Sequence, residues 1–350
     1  MESNKQKTTK GKQIFRIVLF VGTIISLWFV PWILVKAWIL PLPRTVQEQV
    51  DQSLSYGFDG VVVYVDEFGK PPAFYSAGYH NRELKTPANP KALFKIGSIS
   101  KLYVAVAITK LSNNNRLSLD KTLADYIPEL VGRIENAEKI TLRMMVQHKS
   151  GIPNYTDNPD FWKNQPNTNT DVLTYALDLP ADFEPNKDYG YSNTNYLLLS
   201  RIIENVVGYS RQQYFKEEIL IPLGLHNTFG SVSEVNLNDV MSGYYVGLED
   251  DFKTANQGML ATAQDVGIFL RALNDGSLLN KKEMEIYASI YEFNHGGLVP
   301  GYQCMAEYHK DIDVVVIQVM NTTDFEGYQW NLLQITHTRV VKILRKAKVM

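Results

Sequence analysis

The sequence predicts an α+β fold, an α/β sandwich. One antiparallel sheet is built from both ends of the domain, flanked by helices, with an all-helical subdomain inserted and one transmembrane helix ahead of it. Three observations predict this. Strand-like runs lie near both ends of the globular part, at 60–65 and 73–79 and again at 302–308 and 312–320. Helical patterns and long loops fill about 116–230. An uncharged stretch from Ile17 to Val35 precedes them all.

That stretch is 19 residues long, enough to span a bilayer as a helix. Residues 1–16 before it are polar and basic, with Lys5, Lys7, Lys10, Lys12 and Arg16. The positive flank predicts a cytoplasmic N-terminus and an extracytoplasmic remainder, 36–350. Trp28, Trp32 and Trp38 stand where interfacial anchors would. Pro31 is a candidate kink. A cleaved signal peptide is the rival reading, but no A-x-A-like site follows the apolar run. Pro41-Leu42-Pro43 reads as a short stiff linker.

From Arg44 the elements follow in order. A helix is expected over Val46 to Leu54, opened by a capping box of Thr45 and Glu48. Gly60 to Val65 is β-branched and reads as a strand, paired with Ala73 to Tyr79 across a turn containing Gly69. Leu102 to Leu111 reads as a helix buried nearly all round, with Asn113-Asn114-Asn115 as its stop. Asp120 is a plausible helix cap. Residues 141–148 read as a helix, followed by a turn at 150–153 and a polar loop over 154–170. Asn195 to Val207 is a helix closed by Gly208. Ala263 to Leu273 is another, with Gly276 past its end, and Tyr328 to Lys346 closes the chain as an amphipathic helix.

Composition narrows the function. The chain has 350 residues, 45% apolar and 21% charged, as a globular protein has. A net charge of −2 and no basic stripe with interleaved aromatics give no case for nucleic acid. The single cysteine, Cys304, excludes an intramolecular disulfide and a thiolate cluster. The six histidines show no H-E-x-x-H pattern, so no metal or other cofactor is expected.

Ser98 and Lys101 form S-x-x-K in the run Phe94 to Lys101. On one helix this spacing puts both side chains on one face, a turn apart. Gly97 permits a tight turn before the helix. Ser98 then stands at a helix N-terminus, where free N–H groups favour developing negative charge. An apolar, positive setting lowers the proton affinity of Lys101. Together they describe a serine nucleophile with a lysine base. A bare S-x-x-K arises about once by chance in a chain this long, so context decides. Tyr189-Gly190-Tyr191-Ser192-Asn193 could aim a phenol and an amide into one cleft, Tyr191 relaying a proton and Asn193 holding the lysine or a carbonyl. The plain alternative makes Asn193 an ordinary N-cap. Asn294-His295-Gly296-Gly297-Leu298 has paired glycines that let a backbone edge approach a ligand.

In order and context these segments resemble the serine beta-lactamase and penicillin-binding-protein superfamily, closest to its class C-like branch of D-aminopeptidases, D-Ala-D-Ala carboxypeptidases and esterases. Tyr191-Ser192-Asn193 stands in place of that superfamily's S-D-N element. Supporting stretches include His148-Lys149-Ser150-Gly151-Ile152-Pro153 and Pro222-Leu223-Gly224-Leu225. The resemblance runs from about 55 to 325. It implies that Ser98 is acylated, that Lys101 and Tyr191 share the acid–base work, and that Asn193 positions substrate. It implies that His295, Gly296 and Gly297 replace the K-T-G triad on the edge strand. It implies an oxyanion hole made by the backbone N–H of Ser98 and Leu298.

The chain departs from the pattern in four places. His295 stands where true lactamases usually carry lysine, Asn294 where glycine is common, Asn186 where glycine follows Pro185, and Cys304 where serine is frequent. A histidine's ordinary pKa is about 6.5 against about 10.4 for lysine, so carboxylate-ended substrates are expected to bind best at mildly acidic pH. The expected protein is an anchored extracytoplasmic serine hydrolase. Its substrates would be D-amino-acid peptides, small esters or amides, or slowly beta-lactams. Its partners would be a small-molecule or peptide substrate and the membrane. The alternative is an inactive relative that binds cell-wall or peptide ligands in the same cleft, but such a binder has no need of the Ser98/Lys101 pair.

Overall fold

The computed structural model describes residues 2–164, 172–255 and 258–349. Met1–Leu42 and Pro43–Met350 form two compact units. In the first, helix α1 (Glu2–Trp28) is followed by the short α2 (Trp32–Ile39). The expected helix over 17–35 is therefore interrupted. Pro31, lacking an N–H, sits at the break and opens α2. One helix here, Lys10–Trp28, is long and apolar enough to cross a membrane. Its apolar side chains, Phe15, Val18 and Phe20 among them, are exposed.

The second unit opens on α3 (Val46–Ser53), whose Thr45 side chain and Glu48 form the expected capping box. Strand β1 (Gly60–Glu67) turns at Gly69, with φ 79°, into β2 (Ala73–Asn81). The short β3 (Thr86–Pro87) and β4 (Leu93–Lys95) follow. Helix α4 (Ser100–Asn113) comes next. Its first strong contact is aromatic: Tyr103 stacks on Phe269 with ring centroids 3.8 Å apart. Residues 101–109 are all buried, as the apolar run required. Each buried Leu or Ile in it contributes about 2 kcal/mol of apolar burial.

From 116 to 227 the described residues hold helices and loops. Asp120 is not a cap; Thr122 caps the turn Leu123–Tyr126, with Asp125 bonding back to it. The helix expected over 141–148 is Leu142–Val146, because His148 takes a left-handed φ of 56° and cannot continue it. Of the polar loop, 154–164 forms one tight turn and a short helix, while 165–170 lie outside the described residues. Asn186 adopts φ 64°, as a residue replacing glycine must. Helix α5 (Asn193–Val207) ends at Gly208 with φ 86°.

The remaining elements return to the sheet. Strands β5 (Thr228–Phe229), β6 (Tyr244–Tyr245) and β7 (Leu260–Thr262) lead to α6 (Ala263–Asp275) and α7 (Lys281–Ile290). Then come β8 (His295–Val299), β9 (Tyr302–His309), β10 (Val314–Met320), β11 (Thr322–Thr323) and α8 (Gln329–Val349). The main sheet runs β3-β2-β1-β10-β9-β8. N-terminal β1 pairs antiparallel with C-terminal β10, Val61 opposite Met320, so both ends of the domain meet at the sheet's centre as expected. Two small sheets, β4-β7-β5 and β11-β6, complete the fold. β8 is the edge strand, with His295 opposite Ala306 of β9.

Candidate active site

Ser98 sits in a single tight turn, Gly97–Ile99, that runs straight into α4. Gly97 enters this turn at φ 53°, in the left-handed region, and a Cβ there would stand 3.0 Å from the Leu298 backbone nitrogen. Gly297 is tighter still. A Cβ on it would meet the Ile96 carbonyl oxygen at 2.2 Å and the Cys304 sulfur at 2.6 Å. The two glycines thus let β8 lie directly against the serine turn. The buried Cys304 thiol is within reach of the Ile96 and Gly297 carbonyls, at 3.6 and 3.7 Å. Burial pushes its pKa up to about 12, so it is a packing thiol and no nucleophile.

The structure brings four of the expected side chains to one point. Lys101 Nζ lies 3.0 Å from Ser98 Oγ and 2.7 Å from Asn193 Oδ1. Tyr191 Oη donates to Ser98 Oγ at 2.8 Å. Lys101 is 5% exposed, and burial draws its pKa down to about 7. Its Nζ also lies 4.9 Å from the Tyr191 ring centroid and 5.4 Å from that of Tyr196. Burial moves the Tyr191 phenol the other way, above its ordinary value, despite a flank 37% exposed to the cleft.

Above about pH 7, where Lys101 is mostly the neutral amine, the hydrogen-bond polarity follows. A protonated Tyr191 donates into Ser98 Oγ. The serine's own proton must then point elsewhere, and the neutral Lys101 amine is the acceptor in reach. The amine's N–H in turn serves Asn193 Oδ1. In this protonation state the quartet is satisfied and ready to remove the serine's proton.

Asn193 is not an ordinary cap. It is the first residue of α5, and Ser192, the N-cap, makes no side-chain capping bond. The Asn193 amide is oriented by neighbours the sequence reading missed. Its Nδ2 lies 3.3 Å from both Asn154 Oδ1 and Thr156 Oγ1, and its backbone N–H donates to Asn154 Oδ1 at 3.0 Å. Asn154 lies directly after the Ser150–Pro153 turn, but no spacing ties it to a residue so distant in sequence.

His148 was visible only as part of a matching stretch. Its carbonyl accepts from Gly190 N–H and its Nδ1 from Ser192 N–H, at 3.0 and 3.1 Å. Its ring stacks on Tyr191 with centroids 4.4 Å apart. Burial, then the charges of Lys101 and His295, depress its pKa to about 3. It therefore stays neutral and clamps the tyrosine loop from both sides.

His295 does not join the quartet by hydrogen bond. Its Nδ1–H donates to the Gly296 carbonyl at 2.5 Å, and its ring stacks on Tyr291. Its Nε2 lies 3.3 Å from Glu292 Oε1. Burial, with a smaller contribution from Lys101, draws its pKa down to about 4. The expected acid-pH preference rested on an ordinary imidazole, and this one is uncharged across pH 5–8. Burial also raises the Glu292 carboxyl above its usual range.

Comparison with known proteins finds similar sequences and folds. The family model described as Beta-lactamase matches residues 42–289. Protein flp of Staphylococcus aureus (strain MW2) is 28% identical over 210 residues, 58% of this chain and 42% of that protein. Penicillin-binding protein 4* of Bacillus subtilis (strain 168) is 30% identical over 177 residues, 49% of this chain and 38% of that protein. The chain thus aligns with less than half the length of these curated relatives. Among solved structures, the D-amino acid amidase of Ochrobactrum anthropi SV3 superposes with a TM-score of 0.75 at 20% identity, covering 87% of this chain and 98% of that one.

Proposed function

The chain belongs to the beta-lactamase family of serine hydrolases, and from that premise we propose that it cleaves amides, peptides or small esters of D-amino acids through an acyl-enzyme on Ser98. One observation carries the reading: Ser98 Oγ lies within hydrogen-bond reach of both a lysine held near neutrality and a protonated tyrosine.

In the first half-reaction Lys101 Nζ takes the Ser98 proton as Oγ bonds to the substrate carbonyl carbon. The backbone N–H groups of Ser98 and Leu298 stabilise the oxyanion, each contributing about 3 kcal/mol. Tyr191 Oη, on the other side of Oγ, protonates the leaving nitrogen or oxygen, and the proton held by Lys101 restores it. Water then attacks the ester, with the same groups returning its proton to Ser98. Asn193 holds Lys101 in place through its Oδ1.

His295 and Glu292 bear on substrate class. A fixed cation there would attract a substrate carboxylate, but this pair supplies an uncharged imidazole and a carboxyl group. That favours neutral amides over carboxylate-ended peptides and beta-lactams. The amidase likeness supports the same preference. For a D-alanyl peptide acid and its amide, the ratio of kcat/KM values is expected to be flat from pH 5 to 8. His295→Lys is expected to raise turnover of the acid roughly tenfold, the effect of about 1.4 kcal/mol of new ion pairing. A ratio that falls steeply across this range would contradict the uncharged imidazole, and one untouched by the substitution would remove His295 from substrate recognition.

The same reading places the domain outside the cytoplasm, anchored by α1. The basic residues at the N-terminal end of α1, ahead of its apolar, exposed part, support it. Protease added to right-side-out vesicles is expected to digest the domain beyond Arg44 while the protein stays membrane-bound. Recovery of a soluble form beginning beyond residue 36 would instead show a cleaved signal.

A further inference from the structure

β9 alternates its side chains between two layers. Cys304 faces the serine turn, so Glu307 and His309 lie on the opposite face of the sheet, where α8 packs. From α8 the side chain of His337, 3% exposed, reaches the same spot. His337 Nε2 lies 3.3 Å from Glu307 Oε2, and His309 Nε2 lies 3.5 Å from the same oxygen. The three ligand-type atoms all lie within 4.8 Å of one another. Both ring nitrogens of His337 and Nε2 of His309 are buried without a hydrogen bond. Glu307 Oε2 faces both Nε2 atoms without closing a hydrogen bond of ordinary geometry, so the two imidazoles and the carboxylate converge on one point as ligands of a shared ion would.

We propose that Glu307, His309 and His337 form a zinc-class divalent metal site that ties β9 to α8. Donor chemistry narrows the ion: two imidazoles and one carboxylate suit zinc and other first-row transition-metal ions, whereas magnesium and calcium take oxygen ligands. Size agrees. A tetrahedral zinc with bonds of about 2.0–2.1 Å sets its ligand atoms about 3.3 Å apart, close to the two separations seen here. Three protein ligands leave the fourth position to water. The expectation of no metal rested on the absence of H-E-x-x-H. Here two ligands come from alternate positions of one strand and the third from a distant helix, a pattern with no compact sequence signature. The site lies across the sheet from Ser98 and takes no part in the acyl transfer.

The test is zinc binding to the untagged full chain in detergent, stripped with a chelator and then freed of it. Competition with a chromophoric chelator is expected to show one zinc per chain, with a raised melting temperature. Cobalt(II) in its place is expected to give the intense visible bands of a four-coordinate ion. His309→Gln and Glu307→Gln are each expected to weaken zinc binding by at least about tenfold. Both residues are partly exposed, so the test does not depend on His337→Ala, whose buried cavity threatens the fold. Absence of saturable one-to-one binding, or equal affinity in His309→Gln, would overturn the proposal.

Discussion

Lys101→Met is expected to lower kcat/KM for a D-amino-acid amide by roughly a hundred- to ten-thousandfold, the usual contribution of a positioned general base. Methionine keeps the length and apolar character of the side chain, so the core around α4 stays filled. It cannot accept the Ser98 proton, and it leaves Asn193 Oδ1 without the 2.7 Å partner it has in the native chain. Far-ultraviolet circular dichroism and thermal melting separate this from misfolding. The wild-type acylation rate should depend on pH in a matching way. The base is the neutral amine, so the rate rises as pH passes through about 7 and levels off above it. Below that value Lys101 is protonated and Ser98 has no acceptor for its proton. A variant with near-native turnover, or a wild-type rate already level at pH 5, would take the base role from Lys101.

Why was so much of this legible in the sequence? The elements that were read correctly carry their cause locally. Apolar runs mark α4 and β1, a capping box opens α3, and left-handed glycines end α5 and α6. Ser98 and Lys101 are legible because a helix turn joins them within four residues. What escaped is non-local. Asn154 and Thr156 orient Asn193 across a gap in sequence that no periodicity spans. His148 looks like any loop histidine until its ring is seen against Tyr191. The His295 pKa was misjudged because burial by Tyr291 and the sheet edge cannot be read from a Gly-rich run. Pro31 was visible as a kink, but how fully it would divide the apolar stretch depended on the backbone around it.

Ser98→Ala is expected to have the largest effect of all. It deletes only the hydroxyl oxygen, in a turn whose backbone is set by Gly97 and by the contact of β8 with Ile96, so the fold should be unchanged. It removes the atom that forms the acyl bond, so no general base or oxyanion donor can compensate. Turnover should fall to the background of the assay. The direct measurement is intact-mass spectrometry of the protein after a fluorophosphonate probe, with peptide fragmentation to locate the adduct. The account predicts one adduct per chain on Ser98 in the wild type and none in Ser98→Ala. A wild-type protein that stays unlabelled under conditions where its fold is intact, or a full adduct retained in Ser98→Ala, would contradict it.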